Sequence, residues 1–343
     1  MRENFPLLEQ TIYLNTAYVG LMSQQLLEFR QAYDATYLSQ GDQFKIKGYE
    51  RLAFQREKLA AFLGSRFENT FVTPNFSIGF RFVLDALPKN TRILSLKGDY
   101  HSLANALNER GLVSKEIAID AQVEATIESE LATGNYDAVA LSVVQFTSGF
   151  LVDLEALKKI KERYPQILFL ADGTQFIGAE SFRFESSPLD VISVSGYKWL
   201  LAGFGNGLVS LSQSFLDFCS IRSAEFEARV YAGHFDFLST ASLAHSIALF
   251  EQLDFEKLLE SKAQTAAYLH QKLEAHSLLD PLLETRSKYS SIFTIPGDAH
   301  LHERLLEEGV RCSLRGKGIR LSVHFYNNEE DIDRFIAVFN RLV

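Results

Sequence analysis

The chain has 343 residues, 47% of them apolar, and a net charge of −9, a length beyond that at which one hydrophobic core stops growing, so two domains are expected. Its basic residues are scattered and form no stripe able to neutralise phosphate backbones, which argues against nucleic acid as a partner. Cys219 and Cys312 fit no metal spacing or disulfide framework, no stretch has the ~18 to 20 continuous apolar residues that cross a bilayer, and Met1 to Tyr13 lacks the basic start and apolar run of a secretory signal; the expectation is a soluble, cytoplasmic protein with no metal and no membrane partner.

In chain order, apolar runs of strand length fall at Thr70 to Thr73, Arg92 to Leu96, Ala138 to Val144, Ile167 to Ala171, Val191 to Ser195 and Gly207 to Ser212. Several are apolar almost throughout, as strands covered on both faces are. Helical patterns at Gly79 to Ala86, Ser102 to Arg110 and Leu154 to Arg163 have lengths suited to right-handed crossovers between parallel strands. A long helix is read over Ser239 to Leu253. Thereafter helices at Phe255 to His276, His300 to Glu308 and Glu329 to Asn340 alternate with strands at Ser290 to Ile295, Val310 to Leu314 and Ile319 to His324. The fold class predicted is α/β: a mostly parallel central sheet with flanking helices, then a smaller α+β C-terminal domain. The large domain is taken as residues 15–250, the small one as 1–14 with 251–343.

Two segments concentrate the chemistry: Leu168-Phe-Leu-Ala-Asp172-Gly173-Thr174-Gln175, and Asp190-Val-Ile-Ser-Val-Ser195-Gly196-Tyr197-Lys198-Trp199. Each is an apolar strand ending in polar residues, so Asp172, Ser195 and Lys198 are delivered to one rim of the sheet, where ligands of such sheets bind. A buried carboxylate needs a cationic partner. A pyridinium nitrogen is one, and a carboxylate that keeps it protonated makes the ring an electron sink. Lys198, desolvated by Tyr197 and Trp199, would have the lowered pKa of an amine nucleophile and proton carrier. Taken singly, Lys198 reads equally as an exposed loop lysine and Asp172 as a helix cap.

The order of these motifs, followed by Gly203-Phe-Gly-Asn-Gly207 and preceded by Tyr13-Leu-Asn15-Thr16-Ala17-Tyr-Val-Gly20, resembles class V aminotransferases, fold type I enzymes that include cysteine desulfurases, kynureninases and isopenicillin N epimerase-like proteins. The resemblance spans nearly the whole chain. It implies pyridoxal 5'-phosphate as cofactor, held as a Schiff base on Lys198, with Asp172 on the pyridine nitrogen, Gln175 near the ring hydroxyl and Ser195 on the phosphate. It also implies a phosphate cup at Phe76, Ser77 and Ile78, where Ser77 alone reads as a helix N-cap. Tyr100 would stack on the ring, with His101 one residue away as the alternative. Arg320 would bind the substrate carboxylate with its two-pronged guanidinium, Arg315 helping and Asn15 on the substrate side. Gly233 and His234 would reach a partner subunit's phosphate, since the resemblance implies a homodimer. Where desulfurases carry an asparagine, this chain has Phe146, with Gln145 as a replacement for the polar contact.

Fold and cofactor do not fix the reaction. Persulfide-forming desulfuration needs a mobile cysteine in the loop before the carboxylate-binding arginine. The connection from Leu314 to Gly318 is short and holds no cysteine, and Cys312 falls in a predicted strand. An aminotransferase-like reaction therefore ranks first, then a PLP-dependent epimerase or lyase. A non-catalytic binding or scaffold relative is the reading from another class.

Overall fold

The structure, a computed structural model, describes residues 2–316 and 318–343. Met1, in the N-terminal segment assigned to the small domain, and Lys317, in the connection before Gly318, lie outside the described residues. Strand β1 (Ile12–Tyr13) precedes two long helices, α1 (Gln24–Gln40) and α2 (Asp42–Leu63). The chain then alternates: β2 (Thr70–Thr73), α3 (Phe76–Ala86), β3 (Ile93–Leu96), α4 (His101–Asn108), β4 (Val113–Ile117), α5 (Val123–Leu131), β5 (Ala138–Ser142), α6 (Leu154–Arg163), β6 (Leu168–Asp172), β7 (Val191–Ser195) and β8 (Gly207–Leu211). Helices α7 (Gln213–Cys219), α8 (Ser223–Val230), α9 (Phe237–Gln252) and α10 (Phe255–Ala275) follow. The C-terminal part is α11 (Pro281–Glu284), β9 (Ile292–Pro296), α12 (Ala299–Glu307), β10 (Val310–Arg311), β11 (Ser313–Arg315), β12 (Gly318–Ser322) and α13 (Glu329–Leu342).

Strands β2 to β8 form a seven-stranded sheet in the order β2-β8-β7-β6-β5-β3-β4. β3, β4, β5, β6 and β7 run parallel; β8 is antiparallel to both β7 and β2. Every residue of β5, β6, β7 and β8 is buried, because helices cover both faces. This is the α/β architecture the apolar runs predict. β9, β11 and β12 make a separate antiparallel sheet, and β1 crosses from the N-terminus to pair in parallel with β10, Ile12 opposite Val310. Arg2 adds an ion pair to buried Asp331 of α13, at 2.7 Å.

Three sequence expectations are corrected. The predicted strand Val310 to Leu314 is broken at Cys312, since β10 pairs with β1 and β11 turns away to pair with β12. The helix read from Gly79 begins at Phe76, because the Asn75 side chain caps it, accepting from the Ile78 N–H at 3.0 Å. Edge strand β4 and helices α1 and α2 were not predicted. β4 carries exposed Ser114, Lys115 and Glu116 at its centre, and in α1 and α2 apolar residues such as Tyr37, Leu38, Ile46 and Phe54 face solvent, so neither has a single apolar stripe.

Candidate active site

Neighbouring strands β6 and β7 run parallel with Asp172 opposite Ser193. Their carboxyl ends therefore deliver Asp172 and Ser195 to the same rim. The loop after β7 folds back on itself: Leu201 N–H donates to the Lys198 carbonyl (3.2 Å) and Ala202 N–H to the Gly196 carbonyl (3.1 Å). Leu201 takes a left-handed φ of 53°, a conformation that costs energy for a branched residue and is held here by packing. The outcome is a lysine that is 8% exposed.

Burial pushes the Lys198 ammonium down from the ordinary lysine range; Asp172 opposes this, and the nearby charges of Arg320 and Arg315 add to it. Burial likewise pushes the Asp172 carboxyl up, against a hydrogen bond from the Thr174 N–H (2.8 Å) and the attraction of Lys198. No cation forms an ion pair with Asp172 among the described residues. A buried acceptor of this kind is a ready seat for a cationic ring nitrogen. The Lys198 amine sits 5.8 Å from the ring centre of Tyr100 and 5.6 Å from that of Tyr197. The phenol of Tyr197 is pushed up to about 12 by its own burial.

In front of this rim lies a cavity of about 680 Å³ lined by Tyr18, Asn75, Ser77, Tyr100, Ser195 and Tyr197 among others. The first turn of α3 forms one wall. The Phe76 N–H donates to Ser195 Oγ (2.9 Å), and Ser102 donates to Ser77 Oγ (2.7 Å). The N–H groups of Phe76 and Ile78 thus have protein acceptors, and Ser77 is a first-turn residue while Asn75 is the cap. Ser195 is fixed from its other side, its N–H donating to Thr174 Oγ1 at 3.2 Å. Tyr100 lines the cavity, half-buried, whereas His101 is exposed at the start of α4.

Gln175 is held from both ends. Its Nε2 donates to the Ala17 carbonyl (2.9 Å), and its Oε1 accepts from Trp199 Nε1 (2.7 Å). One amide hydrogen remains for a ligand. Behind Trp199 lies His324, fully buried, whose Nε2–H donates to the Trp199 carbonyl at 2.9 Å. That bond fixes the tautomer and leaves Nδ1 without a partner. The opening loop fits against the same segment: Gly20 N–H donates to the Tyr197 carbonyl (2.9 Å).

Arg320 is 2% exposed, and burial pushes its guanidinium down to about 9, helped by Arg315. Its Nη1 donates to the Phe146 carbonyl, while Nε and Nη2 have no partner. These two nitrogens share one edge of the guanidinium, the edge that matches a carboxylate's two oxygens. Asn15 accepts from Ser313 Oγ at 2.6 Å, across from Arg320 on the β11–β12 pair.

Other expected positions lie apart. Gly233 and His234 are exposed, and His234 lines recesses next to the cavity, beside Asp236. Gln145 is buried with its Nε2 toward the Ser142 carbonyl (3.4 Å), turned to the interior where Asp99 accepts from the Tyr100 and Ser142 N–H groups. Asn75, Thr174 and His324 are not singled out by the sequence, and Trp199, expected only as an apolar wall for Lys198, also donates to Gln175. Asn75 had a readable signal, since Asn followed two residues later by Ser competes for the cap position; the others act through contacts no spacing reveals.

The donor set fits pyridoxal phosphate: a buried carboxylate with no ion pair among the described residues, a desolvated lysine beside the Tyr100 and Tyr197 rings, and a hydroxyl-rich helix start on the cavity that those rings line. Among solved structures, the chain resembles a C-DES mutant with glycine covalently linked to its PLP cofactor (TM-score 0.87, 18% identity, covering 100% of this chain and 98% of that one). It also resembles the apo cysteine desulfurase of Thermococcus onnurineus NA1 (TM-score 0.85, 18% identity, 100% and 97% covered). These likenesses make the fold that of fold type I enzymes. By sequence it is 22% identical to a probable cysteine desulfurase of Borreliella burgdorferi over 100% of this chain and 96% of that protein. It is 25% identical to a kynureninase of Bacillus mycoides, with 98% and 89% covered. The pattern described as aminotransferase class-V matches residues 20–335, a span that takes in Gly20, Lys198 and Arg320 alike, and the chain therefore belongs to that family of pyridoxal-phosphate enzymes.

Proposed function

We propose that the protein converts an α-amino acid by a transamination-like reaction, with Lys198 carrying the proton at the substrate α-carbon. The observation that carries this reading is the buried Lys198 between Asp172 and the unpaired edge of Arg320. Pyridoxal phosphate supplies, when bound, an aldehyde for an amine and a ring that takes up the electron pair left at the α-carbon. Asp172 would hold the ring nitrogen, Gln175 the ring hydroxyl, and Tyr100 the ring face. The phosphate end would be the Ser77 and Ser195 hydroxyls at the start of α3, beside Phe76 and Ile78, whose own N–H groups are taken by Ser195 and Asn75. Arg320 would take the substrate carboxylate on Nε and Nη2, with Asn15 beside it. Partial desolvation keeps a fraction of Lys198 uncharged near neutral pH, which is what a base needs.

Transamination asks of the protein only that one amine remove a proton and return it elsewhere. Lyase-type cleavage at the β-carbon is the second reading, favoured by relatives named cysteine desulfurase and kynureninase. Relatives named cysteine desulfurase speak for a persulfide route, but the residues of this chain disfavour it. The stretch from Leu314 to Gly318 holds no cysteine, and the buried Cys312 thiol is pushed up to about 12.

A homodimer belongs to the same proposal. Tyr18 and Phe204 are exposed and line the cavity, and Met22, Leu38 and Ile46 are exposed as well; a second copy would cover such apolar surface, with exposed Gly233 and His234 reaching its phosphate site. Size-exclusion chromatography with light scattering tests that directly. Among the described residues no helix is long and apolar enough to cross a membrane; a cytoplasmic location remains part of the proposal.

The decisive experiment for the enzyme is spectroscopic. The reconstituted protein should be yellow, lose its visible band on borohydride reduction, and yield a reduced adduct on Lys198. Products then separate the two readings: a 2-oxo acid with the amino group retained by the cofactor indicates transamination, while a released β-substituent accompanied by alanine or by free ammonium indicates cleavage at the β-carbon. A protein that stays colourless after incubation with the cofactor is a binding or scaffold relative.

A further inference from the structure

Arg315 is the cation of this site that the reaction leaves without a task. It lies on β11, opposite Gly318, while Arg320 lies on β12 opposite Ser313. Cross-strand partners share a face and residues two apart on one strand share it too, so Ser313, Arg315 and Arg320 project from one side of the hairpin. The Arg315 guanidinium rests over the Tyr18 ring, 5.1 Å from its centre, and Tyr18 lines the cofactor cavity. On its other side Arg315 lines a recess of about 350 Å³ together with Thr147, Ser148, Thr294 and Pro281. Arg315 therefore stands at the junction of the two spaces.

No carboxylate pairs with Arg315 among the described residues; its Nη1 donates only to the Leu314 carbonyl, at 3.1 Å. The one acid lining the recess, Asp280, uses its carboxylate to cap α11, accepting from the Leu282 N–H at 2.9 Å. Around the reacting end Lys198 acts on Asp172, with the Asp99 carboxyl a second acid nearby, and Arg315 depresses both Lys198 and Arg320. Asp172 is committed to the ring nitrogen and one substrate carboxylate satisfies Arg320. Among the described residues that leaves the Arg315 guanidinium without an anionic partner of its own.

We propose that Arg315 is a specificity-determining residue that receives a second anionic group, so that the substrate, or its 2-oxo acid partner, is dicarboxylic or carries another acidic side chain. This rests on the reading of the site as an amino-acid enzyme. The recess offers the space: threonine and serine hydroxyls line it, and its carboxylate, Asp280, is engaged at the α11 cap, so an acidic side chain that extends past Tyr18 meets Arg315 first. A guanidinium that is half-exposed and stacked on an aromatic ring is preorganised, and it is less costly to desolvate than a lysine ammonium.

The test uses unreactive carboxylates on the cofactor-loaded enzyme. Binding of maleate and of propionate is followed through the visible band, and binding of L-aspartate and L-alanine alongside. In the wild type, maleate should bind at least about tenfold more tightly than propionate. Arg315→Gln should weaken maleate by about tenfold or more, leave propionate within about threefold, and thus remove the preference. Arg315→Lys should restore part of it, and guards against a folding defect in the first variant. Equal binding of the two carboxylates by the wild type overturns the proposal, as does an Arg315→Gln variant that weakens both by one factor, which would make Arg315 a second receptor for the α-carboxylate. If no amino acid perturbs the spectrum of a protein that does hold the cofactor, the amino-acid reading itself fails and this inference falls with it.

Discussion

Gly20 and Lys198 meet backbone to backbone: a Cβ on residue 20 would overlap the carbonyl oxygen of Lys198 and press on the Leu201 side chain. The opening loop can reach the lysine segment only because residue 20 has no side chain. Gly20→Ala should therefore displace that segment, lowering cofactor affinity and costing on the order of 1–3 kcal/mol of stability, as overpacking does. A titration of apoenzyme with pyridoxal phosphate and a thermal melt check both; an unchanged affinity would mean that the loop moves aside freely.

Lys198→Ala should leave the fold intact and abolish the borohydride-trapped adduct. Turnover of amino acids should fall by about 10²–10⁴-fold, the range lost with a positioned acid–base group. Because the variant also removes a desolvated charge, its cofactor-free form should melt no lower than the wild type.

Arg320 combines burial with two unpaired nitrogens. Arg320→Ala should weaken amino-acid binding by about 30-fold or more, as truncating a buried charge receptor does, yet leave the visible cofactor band in place. Loss of the cofactor instead would move Arg320 to the phosphate or ring.

Trp199→Phe tests the grip on Gln175. Without the indole N–H, Gln175 Oε1 is left buried and unsatisfied, a cost of about 1–3 kcal/mol. The expected signature is a shifted absorption band of bound cofactor as well as lower stability, since Gln175 would no longer be held toward the ring hydroxyl. A change in stability alone would confine Trp199 to packing.

His324 gives a pH dependence of definite sign. Burial holds its imidazole well below the ordinary histidine range, so the folded protein keeps it neutral where the unfolded chain takes up a proton. Its contribution is present above the unfolded pKa of about 6.5 and lost as pH falls, amounting to about 2 kcal/mol between pH 7 and 5. His324→Gln should flatten the acid limb of stability by that amount relative to the wild type. Denaturant melts at the two pH values measure it; identical slopes would show that His324 is protonated in the folded state.

Much of this was legible in the sequence, and for physical reasons. Strands β2, β3 and β5 to β8 of the central sheet are buried throughout, so they read as apolar runs, and two of them, Thr70–Thr73 and Val191–Ser195, match their predicted bounds. Asp172 and Lys198 were readable because they sit where those runs stop. Pairing of β1 with β10 left no trace in local composition. Nor did the hold of His324 on the Trp199 carbonyl, which joins residues 125 positions apart. The α3 start was misread because Ser77 competed with Asn75 as a cap, and only the backbone decides which side chain reaches the Ile78 N–H.

The crossing of β1 to β10 bears on how the protein is made. Ile12 emerges from the ribosome long before Val310, its partner, exists. The central sheet and the segment around Lys198 can assemble from contacts available earlier, but the loop of Asn15, Ala17 and Gly20 has no strand to anchor it until the last tenth of the chain is synthesised. Contacts so distant in sequence form late, because the intervening chain must first be brought together. Closure of the site over its cofactor is thus a late event of biosynthesis, and a nascent chain halted before residue 310 would display the lysine segment without its cover.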